Sequence, residues 1–155
     1  MANEQGSRFL RAAIDEAQTG LAEGGVPIGA ALVVDGKVVA TSRNRRVQFD
    51  SATRHAEIDC LENAGRLPAA TYMRATLYTT LSPCPMCCGA VLLYRIPRVV
   101  IGESTTFLGA ESTLRAAGVE LVPMDSEPCR ELMRQFIAEY PNVWDEDIGL
   151  PPRDQ

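Results

Sequence analysis

An α/β sandwich is the fold this sequence predicts, on three observations. Short runs of apolar and β-branched residues alternate along the chain with stretches whose apolar residues recur at helical spacing. The two segments richest in chemistry-bearing side chains, Arg54-His-Ala-Glu-Ile58 and Thr79-Thr-Leu-Ser-Pro-Cys-Pro-Met-Cys-Cys88, fall where a helix is about to begin, the place where α/β proteins build sites. At 155 residues and 46% hydrophobic, the chain suits one domain that buries about 70% of the surface its unfolded form exposes. A single domain spanning 1–155 is therefore expected.

Ser7 suits the cap of a first helix in which Leu10, Ala13, Ile14, Ala17 and Leu21 share a face, and Gly24-Gly25 ends it. Ile28 to Val34 and Val38 to Ser42, joined by Asp35-Gly36, read as a hairpin with a type I′ turn. After a loop from Arg43 to Arg54, a helix runs from about His55 to Gly65, with Gly65 as its C-cap. Thr76 to Thr80 is a short strand leading straight into the cysteine motif. Pro85 then suits a first helical position, and that helix continues through Ala90 to Tyr94 until Pro97 ends it. Arg98 to Ile101 gives a fourth strand, Thr113 to Ala117 a short helix and Glu120 to Pro123 a fifth strand. Glu127 to Tyr140 is a last amphipathic helix, and Leu150 to Gln155 reads as a loose tail.

The chemistry concentrates in the two helix starts. Cys84 and Cys87 form a Cys-x-x-Cys pair near an N-cap, where the helix dipole and unpaired N–H groups favour the thiolate that binds metal. His55 is the one histidine in the chain. With the two thiolates it makes three ligands of the types zinc takes, leaving a fourth position for water, which is the catalytic pattern rather than the closed structural one. Glu57 supplies proton transfer. His55 and Glu57 stand two apart and would not share a face in mid-helix, so the reacting centre must lie beyond the N-terminal end of their helix. Taken alone, the Cys-x-x-Cys reads equally well as a redox pair, and Cys60 or Cys88 could close a structural zinc site. Together, His-x-Glu and Pro-Cys-x-x-Cys form the signature of zinc deaminases acting on nucleobases. Cys60, Cys88 and Cys129 then remain as buried thiols.

Composition narrows the partners. Five cysteines, no stretch of about 18 apolar residues, and a start without a charged-then-apolar layout point to a soluble cytoplasmic protein with free thiols, no membrane association and no disulfide framework. Twenty acidic against 15 basic residues, net −5, give no overall attraction to a phosphate backbone. A small neutral substrate fits, and no nucleic acid is expected. The basic run Arg43, Arg45 and Arg46 reads as a solvated face sooner than an anion contact.

Over nearly its whole length the sequence resembles the fungal-type zinc cytosine deaminases of the cytidine deaminase superfamily. The likeness rests on Glu23-Gly-Gly-Val-Pro-Ile-Gly29, Ser51-Ala-Thr53, Leu61-Glu-Asn-Ala-Gly-Arg-Leu67, Leu77-Tyr-Thr-Thr-Leu-Ser-Pro-Cys84, and Trp144 with Glu146-Asp-Ile-Gly149. It implies a three-layer α/β/α sandwich on a five-stranded mixed sheet, a homodimer, one zinc per chain, and a C-terminal tail over 141–155 that closes the pocket. It also implies that Asn44 donates to a ring carbonyl with help from the Ala56 N–H, that Ile28, Ser82 and Phe107 contact the base, that Trp144 closes over it, and that Asp147 accepts from a ring N–H. The activity implied is hydrolysis of cytosine to uracil and ammonia. Three departures stand out: Ala56 in place of glycine, Val47 in place of an aromatic, and Pro85 in place of an acid. Val47 is expected to widen the pocket, so deamination of another small ring such as guanine, isocytosine or creatinine competes with cytosine. A tRNA adenosine deaminase would share the zinc motifs but calls for a basic surface. A non-catalytic zinc module would have no use for Glu57.

Overall fold

The computed structural model describes residues 2–153. Its hairpin joins β1 (Gly29–Val34) to β2 (Lys37–Arg43). Asp35 at φ 52° and Gly36 at φ 76° are both left-handed, as a type I′ turn requires. A register shift between Leu32 and Val33 marks a bulge in this pair. β1 also pairs antiparallel with β3 (Ala75–Leu81), while β4 (Arg98–Glu103) and β5 (Glu120–Pro123) extend the sheet in parallel. Parallel neighbours need crossover helices, supplied by α5 (Pro85–Tyr94) between β3 and β4 and by α6 (Glu111–Ala116) between β4 and β5. The result is the mixed five-stranded sheet expected, in the order β2-β1-β3-β4-β5.

Every residue of β1 is buried, because helices cover both faces. On one face Phe9, Leu10 and Ile14 of α1 (Ala2–Ala22) meet Ala31, Val33, Tyr78 and Val100. On the other, Ala30, Leu32, Leu77 and Val99 pack with Cys60 of α3 (Ala56–Ala64), Val91 of α5 and Leu114 of α6. The helix α7 (Glu127–Glu139), capped by Ser126, contributes Cys129 to the first cluster and Met133 and Phe136 to the second. This is a three-layer sandwich, and the three thiols read as core, Cys60, Cys88 and Cys129, are all buried.

The sequence reading errs at the short elements and the ends. Ser7 lies inside α1, which already runs at Ala2 with Glu4 in its favourable first turn, so Ser7 is no cap. The loop from Arg43 to Arg54 contains a single turn, α2 (Arg46–Phe49), closed by Asp50 at φ 50°. A second single turn, α4 (Ala69–Tyr72), precedes β3, and α6 starts two residues before Thr113. Arg95, left-handed at φ 56°, ends α5 before Pro97 is reached, with Ile96 N–H bonding back to Val91 O. The segment read as a tail folds into α8 (Pro141–Asp147). Beyond it Arg153 grips Asp145 through two bonds of 2.7 and 3.1 Å, so the chain is anchored through residue 153; Asp154 and Gln155 lie outside the described residues.

One glycine sets how closely α1 meets the sheet. A Cβ on Gly29 would stand 1.9 Å from Ala13 O and 2.7 Å from Ala17 N, both backbone atoms that cannot swing aside. Gly29→Ala is therefore expected to destabilise the fold by about 1–3 kcal/mol, as overpacking does, read as a lower denaturation midpoint at unchanged slope.

Candidate active site

The starts of α3 and α5 converge at one point below the carboxyl end of β3. Both N-cap residues are extended, His55 at φ −61°, ψ 158° and Cys84 at φ −69°, ψ 170°, so their side chains project beyond the helices rather than along them. Cys87, one turn into α5, joins them. Cys84 Sγ lies 3.3 Å from His55 Nδ1 and 3.7 Å from Cys87 Sγ, and Cys87 Sγ is 3.8 Å from the same nitrogen. Tetrahedral zinc with about 2.3 Å bonds to sulfur and about 2.0 Å to nitrogen would space such atoms about 3.8 and 3.5 Å apart, so the donor set fits the ion. Among the described residues these three are the group whose ligand atoms meet the spacing a metal ion needs.

The other ring nitrogen is already spoken for. His55 Nε2 donates to the backbone carbonyl of Asp147 at 3.0 Å, which fixes the tautomer and leaves Nδ1 as the ligand atom. The contact between the two sulfurs, together with the His55 ring, pulls Cys84 down to about 4, while the same contact and burial push Cys87 well up. A divalent cation would displace the protons that such thiols hold.

Glu57 follows His55 by two positions yet faces the same centre, because His55 is the cap and not part of the helix. Its Oε1 accepts from the Thr79 hydroxyl and its Oε2 lies 3.0 Å from Cys87 Sγ. Burial pushes this carboxyl above the ordinary carboxylate range, against the opposing pull of His55 and the two hydrogen bonds. A carboxyl in that condition can act in turn as base and acid near neutrality.

Above these groups is a half-open pocket with a free volume of about 20 Å³. Ile28, Asn44, Ala56, Ser82, Phe107, Trp144 and Asp147 all line it, so the structure brings together every residue expected there. Asn44, fully buried, donates from Nδ2 to Asp147 Oδ1 at 2.7 Å and accepts the Arg46 N–H at 3.1 Å, which fixes its amide orientation and leaves its second amide hydrogen for the cavity. Ala56 is the first residue of α3, and its N–H has no intrahelical acceptor. Phe107 meets Trp144 edge to face, centroids 6.0 Å apart at 83°. Asp147 ends α8 and is buried, its carboxyl raised by burial against the pull of His55, Asn44 and Arg46.

Two expectations need restating. The Ser82 hydroxyl is committed, donating to Glu111 Oε2 at 2.6 Å and accepting the Gly109 N–H at 2.9 Å, so Ser82 frames the loop that carries Phe107. Val47 is half exposed on α2 and lies outside the lining, so its small side chain does not widen the cavity. Thr79, Leu81 and Ile148 were missed. Thr79 could have been suspected from strand alternation, since it follows Leu77 by two and points to the same side; Ile148 stands in the Glu146-Asp-Ile-Gly149 stretch, which gives it no role of its own.

This geometry predicts one zinc per chain. Metal analysis after dialysis should find near-stoichiometric zinc in the parent and in Cys129→Ser. It should find a clear deficit in His55→Ala, Cys84→Ser and Cys87→Ser; full occupancy in any of these three would displace that residue from the ligand set.

Comparison with known proteins agrees with the site. The cytidine and deoxycytidylate deaminase zinc-binding region matches residues 3–103. A cytosine deaminase of Candida albicans is 50% identical over 141 residues, covering 90% of this chain and 94% of that protein. A tRNA-specific adenosine deaminase of Bacillus subtilis is 39% identical over 111 residues, 71% of this chain and 69% of that protein. Among solved structures, one from a study of tRNA A34 deaminases superposes with a TM-score of 0.69 at 30% identity, covering 81% of this chain and 99% of that one. A zinc-ligand triad at two converging helix starts, a buried glutamate beside it and these likenesses in sequence and fold place the chain in the cytidine and deoxycytidylate deaminase family of zinc proteins.

Proposed function

We propose that this protein hydrolyses the exocyclic amine of a small free nucleobase, cytosine, to give uracil and ammonia. The observation that carries the reading is Glu57: a buried carboxyl 3.0 Å from one of the two paired sulfurs, facing a pocket lined by two aromatic rings. Zinc held by His55, Cys84 and Cys87 would supply a water whose pKa is lowered to about 7. Glu57 is placed to take a proton from the attacking water, leaving hydroxide to bond C4 of the base, and to pass that proton to ring N3. It then carries the second proton to the exocyclic nitrogen, which leaves as ammonia while the C4 carbonyl forms. Thr79 holds the carboxyl in place throughout.

The remaining residues orient the ring. Asn44 and the Ala56 N–H donate to the 2-carbonyl, Phe107 and Trp144 enclose the ring, Ile28 packs against it, and Asp147 accepts from N1–H. A nucleoside has a glycosidic bond at that nitrogen and leaves Asp147 unpaired inside the protein, a loss that in sites of this kind discriminates by roughly 10⁴–10⁵. The 50% identity to the Candida albicans enzyme supports cytosine over the tRNA substrate of the 39% relative.

The working form is proposed to be a homodimer in the cytoplasm, serving pyrimidine salvage. Support for the dimer comes from α5, which is apolar all round: Val91 is buried in the core while Leu93 and Tyr94 are 72% and 41% exposed on the outer side. No helix among the described residues is long and apolar enough to cross a membrane.

Glu57→Gln should keep fold and zinc but lose at least about 10²-fold in turnover; near-normal turnover would overturn the proton-transfer role. The parent should release ammonia from cytosine far faster than from cytidine, and Asp147→Asn should lose most of its cytosine activity. Comparable cytidine turnover by the parent, or an unaffected variant, would overturn the N1–H contact. Sedimentation at micromolar concentration should show the dimer mass, and an active monomer would refute the proposed assembly.

A further inference from the structure

Asp59 is a fully buried carboxylate in the first turn of α3 that the chemistry above does not use. Three donors reach it. Ser42 and Arg45 bond Oδ2, Arg45 with Nε at 2.9 Å and Nη2 at 2.7 Å, and Arg54 Nη1 bonds Oδ1 at 2.7 Å. Against the cost of burial these partners hold its carboxyl below the ordinary range. A buried charge met by this many donors is an organised junction, whereas an unpaired one would take up a proton.

The position of those donors in the chain gives the junction its consequence. Arg45 follows Asn44 and Arg54 precedes His55, so one carboxylate ties down both ends of the segment between a substrate-contacting residue and a metal ligand. The two ends also meet directly, Arg45 N–H donating to Arg54 O at 2.9 Å. Between them the Phe49 ring sits 4.6 Å from the Arg45 guanidinium and 4.9 Å from that of Arg54, so the segment wraps around the same two cations. Ser42, the third donor, is two residues before Asn44 in β2. Asn44 is therefore held from both sides by groups that converge on Asp59. By contrast, His55 has an anchor of its own in Asp147 O, and Glu57 has Thr79.

We infer that Asp59 is a positioning residue for substrate recognition: through Ser42 and Arg45 it fixes Asn44, and so sets how well the base is bound, without taking part in metal binding or proton transfer. This rests on the reading of Asn44 as donor to the ring carbonyl. Asparagine at 59 would present an amide N–H₂ to donors and could accept at one oxygen only, so Asp59→Asn releases at least one arm of the junction.

The test is a double-mutant cycle on cytosine deamination, with zinc content and melting temperature followed in every variant. Asn44→Ala should lower kcat/KM by at least about 100-fold. Asp59→Asn should lower it about tenfold or more, chiefly through KM, with zinc at parent occupancy. The double variant should match Asn44→Ala within about twofold, because a residue acting through Asn44 has nothing left to position. Arg45→Gln releases the same arm from its other end, at a side chain that is 20% exposed. Its own cycle with Asn44→Ala should repeat the result even where Asp59→Asn folds poorly. Multiplicative costs, a silent Asp59→Asn and Arg45→Gln, or zinc lost with activity would overturn the positioning role. A silent Asn44→Ala would instead remove the reading of Asn44, and the inference with it.

Discussion

The hydrogen bond from His55 Nε2 to the Asp147 carbonyl joins residues 92 apart and couples the metal site to the lid of the pocket. It does two things at once. At its histidine end it forces the ring to present Nδ1 to the two sulfurs, so the ligand geometry is set before any ion arrives. At its other end it pins the last residue of α8, and with it Trp144, over the cavity. The carbonyl takes the Nε2 proton at 3.0 Å, the Asp147 Oδ2 stands farther off at 3.5 Å, and Oδ1 accepts from Asn44. One contact thus ties the C-terminal end of α8 to the residue whose other ring nitrogen faces the two sulfurs.

Sequence reading succeeds here where the signal is repeated or chemically rare. Five strands, the long helices and the Asp35-Gly36 turn follow from periodicity and from turn residues that admit positive φ, and His55, Glu57, Cys84 and Cys87 stand out because few residue types do their chemistry. It fails where a segment is too short to show a period: α2 and α4 have four residues each. It fails at α8 for another reason, since seven residues rich in acid give no amphipathic pattern and are held by Arg46, Arg153, Asn44 and His55, all contributed from elsewhere. Ser82 and Val47 show the limit of resemblance. A motif places a residue near a site, but only packing says which atom faces inward.

Buried carboxyls carry much of this architecture, and each is treated according to its task. Asp59 has two cations and Asp145 has one, so they are structural anions that fix loops. Glu57 has no basic side chain of Arg or Lys against it, only a hydroxyl and a thiol, which leaves its proton affinity high enough for chemistry. Asp147 stands between, with Arg46 no nearer than 3.8 Å and an amide at 2.7 Å, so it keeps acceptor capacity for a ligand. Moving one guanidinium a few ångströms closer to either catalytic-side carboxyl would lower its pKa and spend it on the fold.

The same pairing decides what the arginine-rich segment beside the pocket can attract. Arg43 is bound by Glu16 at 2.9 Å and Glu23 at 2.7 Å, strongly enough to pull Glu23 down to about 2. Arg45 and Arg54 share Asp59, and Arg46 faces Glu146 and Asp147. Arg43 and Arg46 each face two carboxylates while Arg45 and Arg54 share one, so a cluster that looks basic in sequence is largely offset within the chain. Phosphate affinity depends on unpaired cations that can exchange counterions for the backbone, and an overall charge of −5 supplies none at longer range. What such a mouth admits at low cost is a neutral molecule small enough to leave its solvent behind. On the proposed reading, recognition then comes from hydrogen bonds made inside, where Asn44, the Ala56 N–H and Asp147 line the pocket.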